Sequence, residues 1–354
     1  DKNGKDYALF SGDTLFLGDV GRPDLAQKIA NMTKEQLAGI LYDSLRTKIM
    51  TLADDVIVYP AHGAGSACGK NLSKETVGTI GEQKLVNYAL RANMTKEEFI
   101  QEVTDGLLPP PLYFPLNAKL NREGYENVED IIRDAVAYDV ETFEMVANKI
   151  DTVILDVRHQ DEYAKGHVPR SIFIGIDGDF APWVGALIPD IKQPLLLITP
   201  LGREEESILR LARVGYDNTL GYLKGGFDTW KNEGLEYDTV SSVSAVMLEE
   251  IMAEAEEEKE KVKIFDVRKD FEYQKEHMVD VPSTPLDNIN DHLAEFPKDE
   301  EFYLHCAGGY RSMIAASILK ARGYHNLINV AGGYSAIKKT AIKTTDFVCP
   351  STLK

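Results

Sequence analysis

Short apolar runs alternate with amphipathic segments through the carboxy-terminal part of the chain. Val153–Val157 and Leu195–Ile198 are two such runs, and Val262–Val267 and Phe302–His305 follow further along. Each run has the length of a buried strand, whereas the segments between them carry apolar residues at helical spacing. This alternation favours a parallel, doubly wound sheet with helices on both faces. We therefore predict an α/β fold for this part of the chain.

These runs belong to an internal repeat. The triplet Asp-Val-Arg at 156–158 recurs at 266–268, and the pair Gly-Gly at 225–226 recurs at 332–333. Repeats at this spacing match the size of a small domain, so we predict a duplicated domain. A carboxylate and a guanidinium at a strand end more often hold a loop than perform chemistry. We therefore expect Asp266 and Arg268 to be structural.

A cysteine follows the last apolar run. Cys306 stands between that run and a segment with helical periodicity, which places its thiol at a helix N-terminus. Free backbone N–H groups and the helix dipole stabilise a thiolate there, and Arg311 adds a full positive charge. A lone cysteine is usually a buried structural residue. The glycine pair and the arginine nevertheless favour a nucleophile, so we predict Cys306 and Arg311 as catalytic residues.

The residues between and just after these two are predicted to bind an anion. The glycines allow successive amides to curl around a negative charge. The predicted anion-binding residues are Ala307, Gly308, Gly309, Tyr310 and Ser312.

The number of residues between the cysteine and the arginine differs between two families of cysteine enzymes. Cysteine phosphatases place five residues between the cysteine and the arginine, whereas four intervene here. The shorter loop resembles that of rhodaneses, sulfurtransferases whose cysteine carries a persulfide, although His305 before the cysteine is similar to the phosphatase pattern. The Asp-Val-Arg strand end, the Glu-Tyr…His segment and the Gly-Gly-aromatic turn also resemble rhodanese domains. This resemblance implies sulfur transfer that needs no cofactor.

The first copy of the repeat contains no cysteine. Aligned through the following helix, Arg203 corresponds to Arg311, and Ile198 or, with one shift, Thr199 takes the cysteine position. Three glutamates at 204–206 suit the helix N-terminus but repel an anionic sulfur donor. We predict a non-catalytic domain that serves as a spacer or docking surface.

The amino-terminal third resembles a different family. Ser-Gly-Asp-Thr-Leu-Phe at 11–16, Gly-Arg-Pro-Asp at 21–24 and the loop from His62 to Lys70 resemble the metallo-β-lactamase fold, in particular the persulfide dioxygenases. The resemblance implies that Asp13 is a metal ligand, that His62 lies near the metal, and that the metal is Fe(II), with zinc as the alternative. Cys68 is then either a thiol near the metal or a small packing residue.

The resemblance also implies an upstream histidine motif, which this sequence lacks. As written, the chain does not complete a metal site, and half of the αβ/βα sandwich would expose its core. We therefore expect further sequence before Asp1. The predicted domains are 1–125, a partial metallo-β-lactamase-like domain, 126–240, a rhodanese-like domain without the cysteine, and 241–345, an active rhodanese domain.

The composition of the chain limits the classes of molecule that it could bind. A net charge of −18 over 354 residues argues against nucleic acid and anionic membranes. Three widely spaced cysteines form no disulfide framework, and the sequence shows neither a signal peptide nor an apolar run long enough to span a membrane, so we expect a cytoplasmic protein. A homo-oligomer is compatible with these features.

The functional hypothesis combines both resemblances. It is a persulfide dioxygenase that oxidises a thiol persulfide to sulfite, fused to a sulfurtransferase that uses Cys306 with persulfide, thiosulfate or sulfite. Two alternatives remain: a glyoxalase II-like thioester hydrolase with two metals, and a non-catalytic docking protein built from rhodanese folds.

Overall fold

The computed structural model divides the chain into two units, Asp1–Arg122 and Glu123–Lys354. It describes residues 4–63, 73–105, 107, 114–125, 127–149 and 151–348. Within these residues, no helix is long and apolar enough to cross a membrane.

The first unit contains one small sheet with helices. Its strands are β1 (Ala8–Gly12), β2 (Ile57–Pro60) and β3 (Gly78–Thr79), with β1 parallel and β3 antiparallel to β2. Its helices are α1 (Gln27–Ala30), α2 (Lys34–Ser44), α3 (Ile80–Val86) and α4 (Lys96–Thr104), and α5 (Phe114–Glu123) lies at the unit boundary. Short 3₁₀ helices cover Pro23–Ala26 and Tyr88–Leu90, and a π-helical turn, Leu45–Ile49, continues α2.

Local capping fixes the start of α2. The Thr33 side chain accepts a hydrogen bond from the Gln36 amide, and the Gln36 side chain accepts one from the Thr33 amide. This reciprocal pair satisfies two amides that have no partner within the helix. The helix then buries Ala38 and Leu45 against Phe99 of α4.

The second unit contains two parallel sheets. The first copy has β4 (Val136–Tyr138), β5 (Val153–Asp156), β6 (Ile172–Phe173), β7 (Leu195–Ile198) and β8 (Thr219–Leu223), in the spatial order β4-β8-β7-β5-β6. The second copy has β9 (Ser241–Ser244), β10 (Ile264–Asp266), β11 (Phe302–His305) and β12 (Leu327–Ala331), in the order β10-β11-β12-β9. The predicted α/β class with repeated parallel sheets is confirmed.

Helices cover both sheets. Those of the first copy are α6 (Val128–Asp134), α7 (Val140–Ala147), α8 (Gln160–Lys165), α9 (Phe180–Leu187), α10 (Glu204–Ala212) and α11 (Gly226–Asn232). Those of the second copy are α12 (Ala245–Glu258), α13 (Asp270–Lys275), α14 (Tyr310–Ala321) and α15 (Gly333–Ile337), with a 3₁₀ segment over Leu286–Glu295.

An ion pair at the end of β10, between Asp266 and Arg268, explains the repeated Asp-Val-Arg triplet. The buried Arg268 guanidinium donates to both carboxylate oxygens of Asp266 and, at 2.9 Å, to the carbonyl of Glu276. Arg158 makes the same contacts with Asp156 and with the carbonyl of Gly166. In both copies the pair holds the loop beyond the strand, in agreement with the structural role predicted for Asp266 and Arg268.

Helix α14 is buried on all sides. Every residue from Ser312 to Leu319 is buried, whereas α10, its counterpart in the first copy, buries only Ser207, Ile208 and Leu211. The additional cover on α14 comes from the first copy, where β6 lies against it and the Phe173 amide donates to the Ser317 hydroxyl at 2.9 Å. Residues of both copies therefore share one hydrophobic core.

Because the core is shared, we expect the two copies to unfold together. Phe302→Ala removes a fully buried ring from the second copy and should destabilise the unit by about 3–5 kcal/mol. Both tryptophans, Trp183 and Trp230, lie in the first copy, so their fluorescence in a urea titration reports that copy. The tryptophan transition should move to lower urea.

Phe99→Ala, a change of the same kind in the core of the first unit, is the matched control. The shared core would be contradicted if the second copy of Phe302→Ala unfolded at lower urea while the tryptophan transition stayed unchanged.

Candidate active site

Cys306 lies directly after β11, in the turn that leads into α14. Its side chain is almost fully buried, and the Gly309 amide donates a hydrogen bond to Sγ at 3.1 Å. Gly309 adopts φ +109° at the position before the helix, a conformation that side-chain-bearing residues rarely adopt. This glycine thus turns an amide toward the sulfur, where it stabilises a thiolate.

A second glycine turn holds the outer side of this loop. Gly333, with φ +52°, packs so closely that a Cβ would overlap the carbonyl oxygen of Cys306. The amide of Tyr334 donates to that oxygen at 2.6 Å, and the amide of Ser335 donates to the carbonyl of Ala307 at 3.0 Å. With its carbonyls bound on this side, the loop keeps a fixed backbone orientation.

Ser312 connects the thiol to a buried polar chain. Its hydroxyl lies 3.5 Å from Cys306 Sγ and 2.7 Å from Asn329 Oδ1, and Asn329 donates from Nδ2 to the Ser242 hydroxyl at 3.3 Å. Both Ser312 and Asn329 are buried. Asn329 escaped the sequence analysis because it lies on β12, far along the chain from the cysteine loop.

Arg311 is held by a carboxylate from α13. Its guanidinium donates to both oxygens of Glu272, one at 2.9 Å, and both side chains are largely buried. Burial opposes the charge on Arg311, but its bonds to Glu272 outweigh this effect and raise the pKa of Arg311. Burial likewise opposes the charge on Glu272, yet the bonds from Arg311 lower the pKa of Glu272. Glu272 is a site residue that the sequence analysis missed.

The other predicted anion-binding residues divide into two groups. Gly308 is exposed with open space around it, and Ala307 is partly buried, so both border the mouth of the loop. Tyr310 instead directs its hydroxyl to the first copy, where it donates to the carbonyl of Gly175 at 2.8 Å. Its side chain is therefore committed to a contact between the copies, which leaves only its backbone amide for an anion.

His305 faces the interior of the second copy. It is fully buried, and within the part of the chain that the structure describes its Nε2 has no hydrogen-bond partner. Burial lowers the pKa of His305, although the Asp266 carboxylate 3.9 Å away acts in the opposite direction. Burial thus disfavours the charged form of this imidazole.

In the first copy, Thr199 occupies the position of Cys306. Gly226 lies beside the carbonyl of Thr199, 3.4 Å from its ideal Cβ position, and Gly333 lies closer still to the carbonyl of Cys306. The strand register agrees, because the Val157 amide donates to Ile198 as the Val267 amide donates to His305. Of the two sequence alternatives, Thr199 is therefore the counterpart.

The helix start also differs between the copies. Arg203 pairs with Asp177 at 2.8 Å and with Glu206 at 2.7 Å, and three glutamates fill the first turn of α10. Arg203 is thus paired with two carboxylates, whereas the described ion-pair partner of Arg311 is Glu272 alone.

Asp13 and His62 lie together in the first unit. Oδ1 of Asp13 is 3.3 Å from Nε2 of His62, and both side chains are about half exposed. Among the described residues, however, no group of three or more histidine, cysteine, aspartate or glutamate side chains could hold a metal. The two donors lie close enough to share a ligand, but they do not fit a complete centre for iron or zinc. Cys68 lies outside the described residues.

Comparison with known families identifies the second unit. The rhodanese-like domain family matches residues 140–233 and 249–340, which are the two copies and together exceed half of the chain. The putative sulfur carrier protein YrkF of Bacillus subtilis (strain 168) is 36% identical over 97 residues, which cover 26% of this chain and 52% of that protein.

A second likeness concerns a different kind of protein. The mitochondrial persulfide dioxygenase ETHE1 of Homo sapiens is 32% identical over 102 residues, 29% of this chain and 33% of that protein. A solved metallo-beta-lactamase from Staphylococcus aureus subsp. aureus COL is 28% identical with a TM-score of 0.49, over 62% of this chain and 59% of that chain.

The chain spans about half of the bacterial curated relative and a third of the human one. The resemblances predicted from the sequence, to rhodaneses and to persulfide dioxygenases, are both confirmed. The domain limits drawn from the sequence stay predictions. With the rhodanese-like match extending over more than half of its length, the chain belongs to the rhodanese-like domain family.

Proposed function

We propose that the chain is a sulfurtransferase in which Cys306 carries sulfane sulfur as a persulfide. The observation that carries this proposal is the bond from the Gly309 amide to Cys306 Sγ at 3.1 Å, at the N-terminus of α14. An amide in this place stabilises the thiolate, and later the persulfide anion, without a cofactor.

Thiosulfate is the simplest donor for such a site. The Cys306 thiolate attacks the outer sulfur, a new sulfur–sulfur bond forms, and the bond to the sulfonate sulfur breaks. Sulfite leaves with the electron pair, so one dianion enters and one departs. A thiolate, sulfite or cyanide then attacks the terminal sulfur of the persulfide, and the Cys306 thiolate is released.

Two side chains are placed to assist this exchange. Arg311 keeps a positive charge beside the loop, where it attracts an anionic donor, and Glu272 fixes its direction. The Ser312 hydroxyl, 3.5 Å from Sγ, is close enough to donate to the thiolate after a small rotation. Catalytic roles for Cys306 and Arg311 therefore agree with their surroundings.

The short loop disfavours a phosphatase. Four residues separate Cys306 from Arg311, and His305 is fully buried. A docking role alone gives no reason for an amide bonded to a buried thiol. The first copy, with Thr199 in place of the cysteine, has no thiol for this chemistry.

We further propose that the first unit is part of a persulfide-oxidising domain that produces sulfite. The likeness to persulfide dioxygenases and the contact between Asp13 and His62 support this role. Iron(II) or zinc is the implied metal, and among the described residues Asp13 and His62 supply only two of its donors. Fusion would raise the local concentration of sulfite at Cys306. Cytoplasmic location and a homo-oligomer stay predictions.

Incubation with thiosulfate should add one sulfur atom to Cys306. We expect intact-mass spectrometry to show the adduct in the native sequence, to lose it after cyanide treatment, and to find none in Cys306→Ser. The reason is that the described part of the chain offers only one thiol inside an amide-lined loop.

Cys68→Ser is the matched control, because it removes a different thiol and should retain the adduct. An adduct that persists in Cys306→Ser and disappears in Cys68→Ser would place the persulfide in the first unit and overturn the proposal.

Glu272→Gln should lower KM for thiosulfate. The amide oxygen can still accept a bond from Arg311, but the negative charge beside an anion site is gone. Both side chains of the pair are largely buried, so salt screens the removed charge only weakly. We expect about a two- to fivefold fall in KM with little change in kcat. Steady-state assays at several salt concentrations measure this change.

Glu276→Gln is the control, since that carboxylate pairs with Lys338 at 2.6 Å in the same copy and has no bond to Arg311. A higher KM in Glu272→Gln would mean that holding Arg311 in place matters more than its free charge.

A further inference from the structure

A side chain that follows the cysteine loop of the second copy reaches into the first copy. Tyr310 is the first residue of α14 and follows Gly309, whose amide donates to Cys306 Sγ. Its ring extends across the boundary between the copies, and its hydroxyl donates to the Gly175 carbonyl at 2.8 Å. The residue next to the thiol-binding amide is therefore fixed by the copy that has no thiol.

The first copy has a cavity shaped for this ring, which we call the Tyr310 socket and define as Phe173, Gly175 and Gly178. A Cβ on Gly178 would overlap the ring at Cζ, and one on Gly175 would lie 3.2 Å from its Cε2. Phe173 meets the ring edge-on, with centroids 5.8 Å apart. Gly178 has no positive φ, so the space for the ring is what requires glycine there. At Gly175 a Cβ would first meet the Arg158 carbonyl and the Phe173 ring, which form the wall beside Tyr310.

Two further contacts hold α14 along its length. The Phe173 amide donates to the Ser317 hydroxyl, and Lys320 pairs with Asp238 of the first copy at 3.1 Å. These contacts lie toward the middle and the end of the helix. The Tyr310 socket is distinct from them because it acts at the first turn, which supplies the amides of the cysteine loop.

The residue after Tyr310 points in a different direction and is held within the second copy. Arg311 donates to Glu272 of α13, whereas Tyr310 donates to Gly175 of the first copy. Adjacent side chains on a helix diverge by about 100°. The first turn of α14 is thus held at two points, one from each copy.

We propose that Tyr310 is a positioning residue, and that the first copy, through the Tyr310 socket, orients the first turn of α14 so that the Gly309 amide meets the Cys306 thiolate. Freed from the socket, this turn would fluctuate, and the amide would stabilise the thiolate less. The kinetic part of this inference rests on the proposed sulfurtransferase function. The effect on the Cys306 thiolate does not depend on that function.

The first test measures thiolate reactivity without turnover. The rate of Cys306 alkylation by iodoacetamide, followed by peptide mass spectrometry at about pH 7 and about pH 10, gives a ratio that reports how much thiolate is present near neutral pH. Loss of one hydrogen bond should lower this ratio about three- to tenfold in Tyr310→Phe.

Tyr324→Phe is the matched control. Its hydroxyl donates to the Leu293 carbonyl at 2.7 Å within the second copy, beyond the far end of α14. It loses a bond of the same kind, so its stability should fall as in Tyr310→Phe, while its alkylation ratio stays at the native value. A ratio in Tyr310→Phe equal to that of Tyr324→Phe would overturn the proposal.

A double variant tests the socket itself. Gly178→Ala should lower the alkylation ratio because the new methyl group excludes the ring. In a Tyr310→Ala background the same change should have no additional effect, since no ring remains to exclude. Tryptophan fluorescence confirms that each variant is folded. Additive effects of the two changes would show that Gly178 acts elsewhere and would contradict the socket.

Turnover separates this inference from the proposed function. If thiosulfate is a substrate, kcat/KM of Tyr310→Phe should fall about three- to tenfold, in proportion to the alkylation ratio. If the native chain transfers no sulfur, the proposed function fails, and the alkylation ratios still decide whether the first copy positions the loop.

Discussion

Burial of α14 between two sheets is the constraint on which the rest of the second unit depends. A helix that packs on one face of a sheet buries one side of its own surface and exposes the other side to water, as α10 does. Helix α14 instead carries uninterrupted small and apolar side chains from Ser312 to Leu319, and such a helix requires cover on both sides. The first copy provides that cover, so it has a structural role although it contains no cysteine.

Burial of Cys306 also explains why charged residues lie beside it. Cys306 is buried, and a thiolate in apolar surroundings is costly unless hydrogen bonds and positive charge compensate. The Gly309 amide provides the hydrogen bond and Arg311 the charge, while Glu272 keeps that charge in place and reduces its net effect. A hydrogen bond, a positive charge and a partner carboxylate therefore surround the Cys306 sulfur, as the proposed persulfide carrier would require.

The sequence allowed prediction of features whose parts lie close together along the chain. The Asp266 and Arg268 pair is separated by one residue, and the cysteine loop is continuous in the chain. Glu272 and Gly175 could not be recognised in this way, because each meets the loop across a long stretch of chain. Only folding places them there.

The choice between Ile198 and Thr199 shows a second limit. The copies differ by one residue in the length of this loop, so alignment through the helix and alignment through the strand give different counterparts for the cysteine. The register of the strand and the approach of Gly226 decide for Thr199. Spacing alone could not, because it does not show where the additional residue is accommodated.

The order of the two copies along the chain gives the Tyr310 socket a role during synthesis. Domains fold as units while the chain emerges, amino-terminal parts first. The first copy is translated before α14, so the glycines that receive the Tyr310 ring are present when that ring appears. Since both copies share one core, a nascent chain that misfolds in the first copy would also leave α14 without its cover.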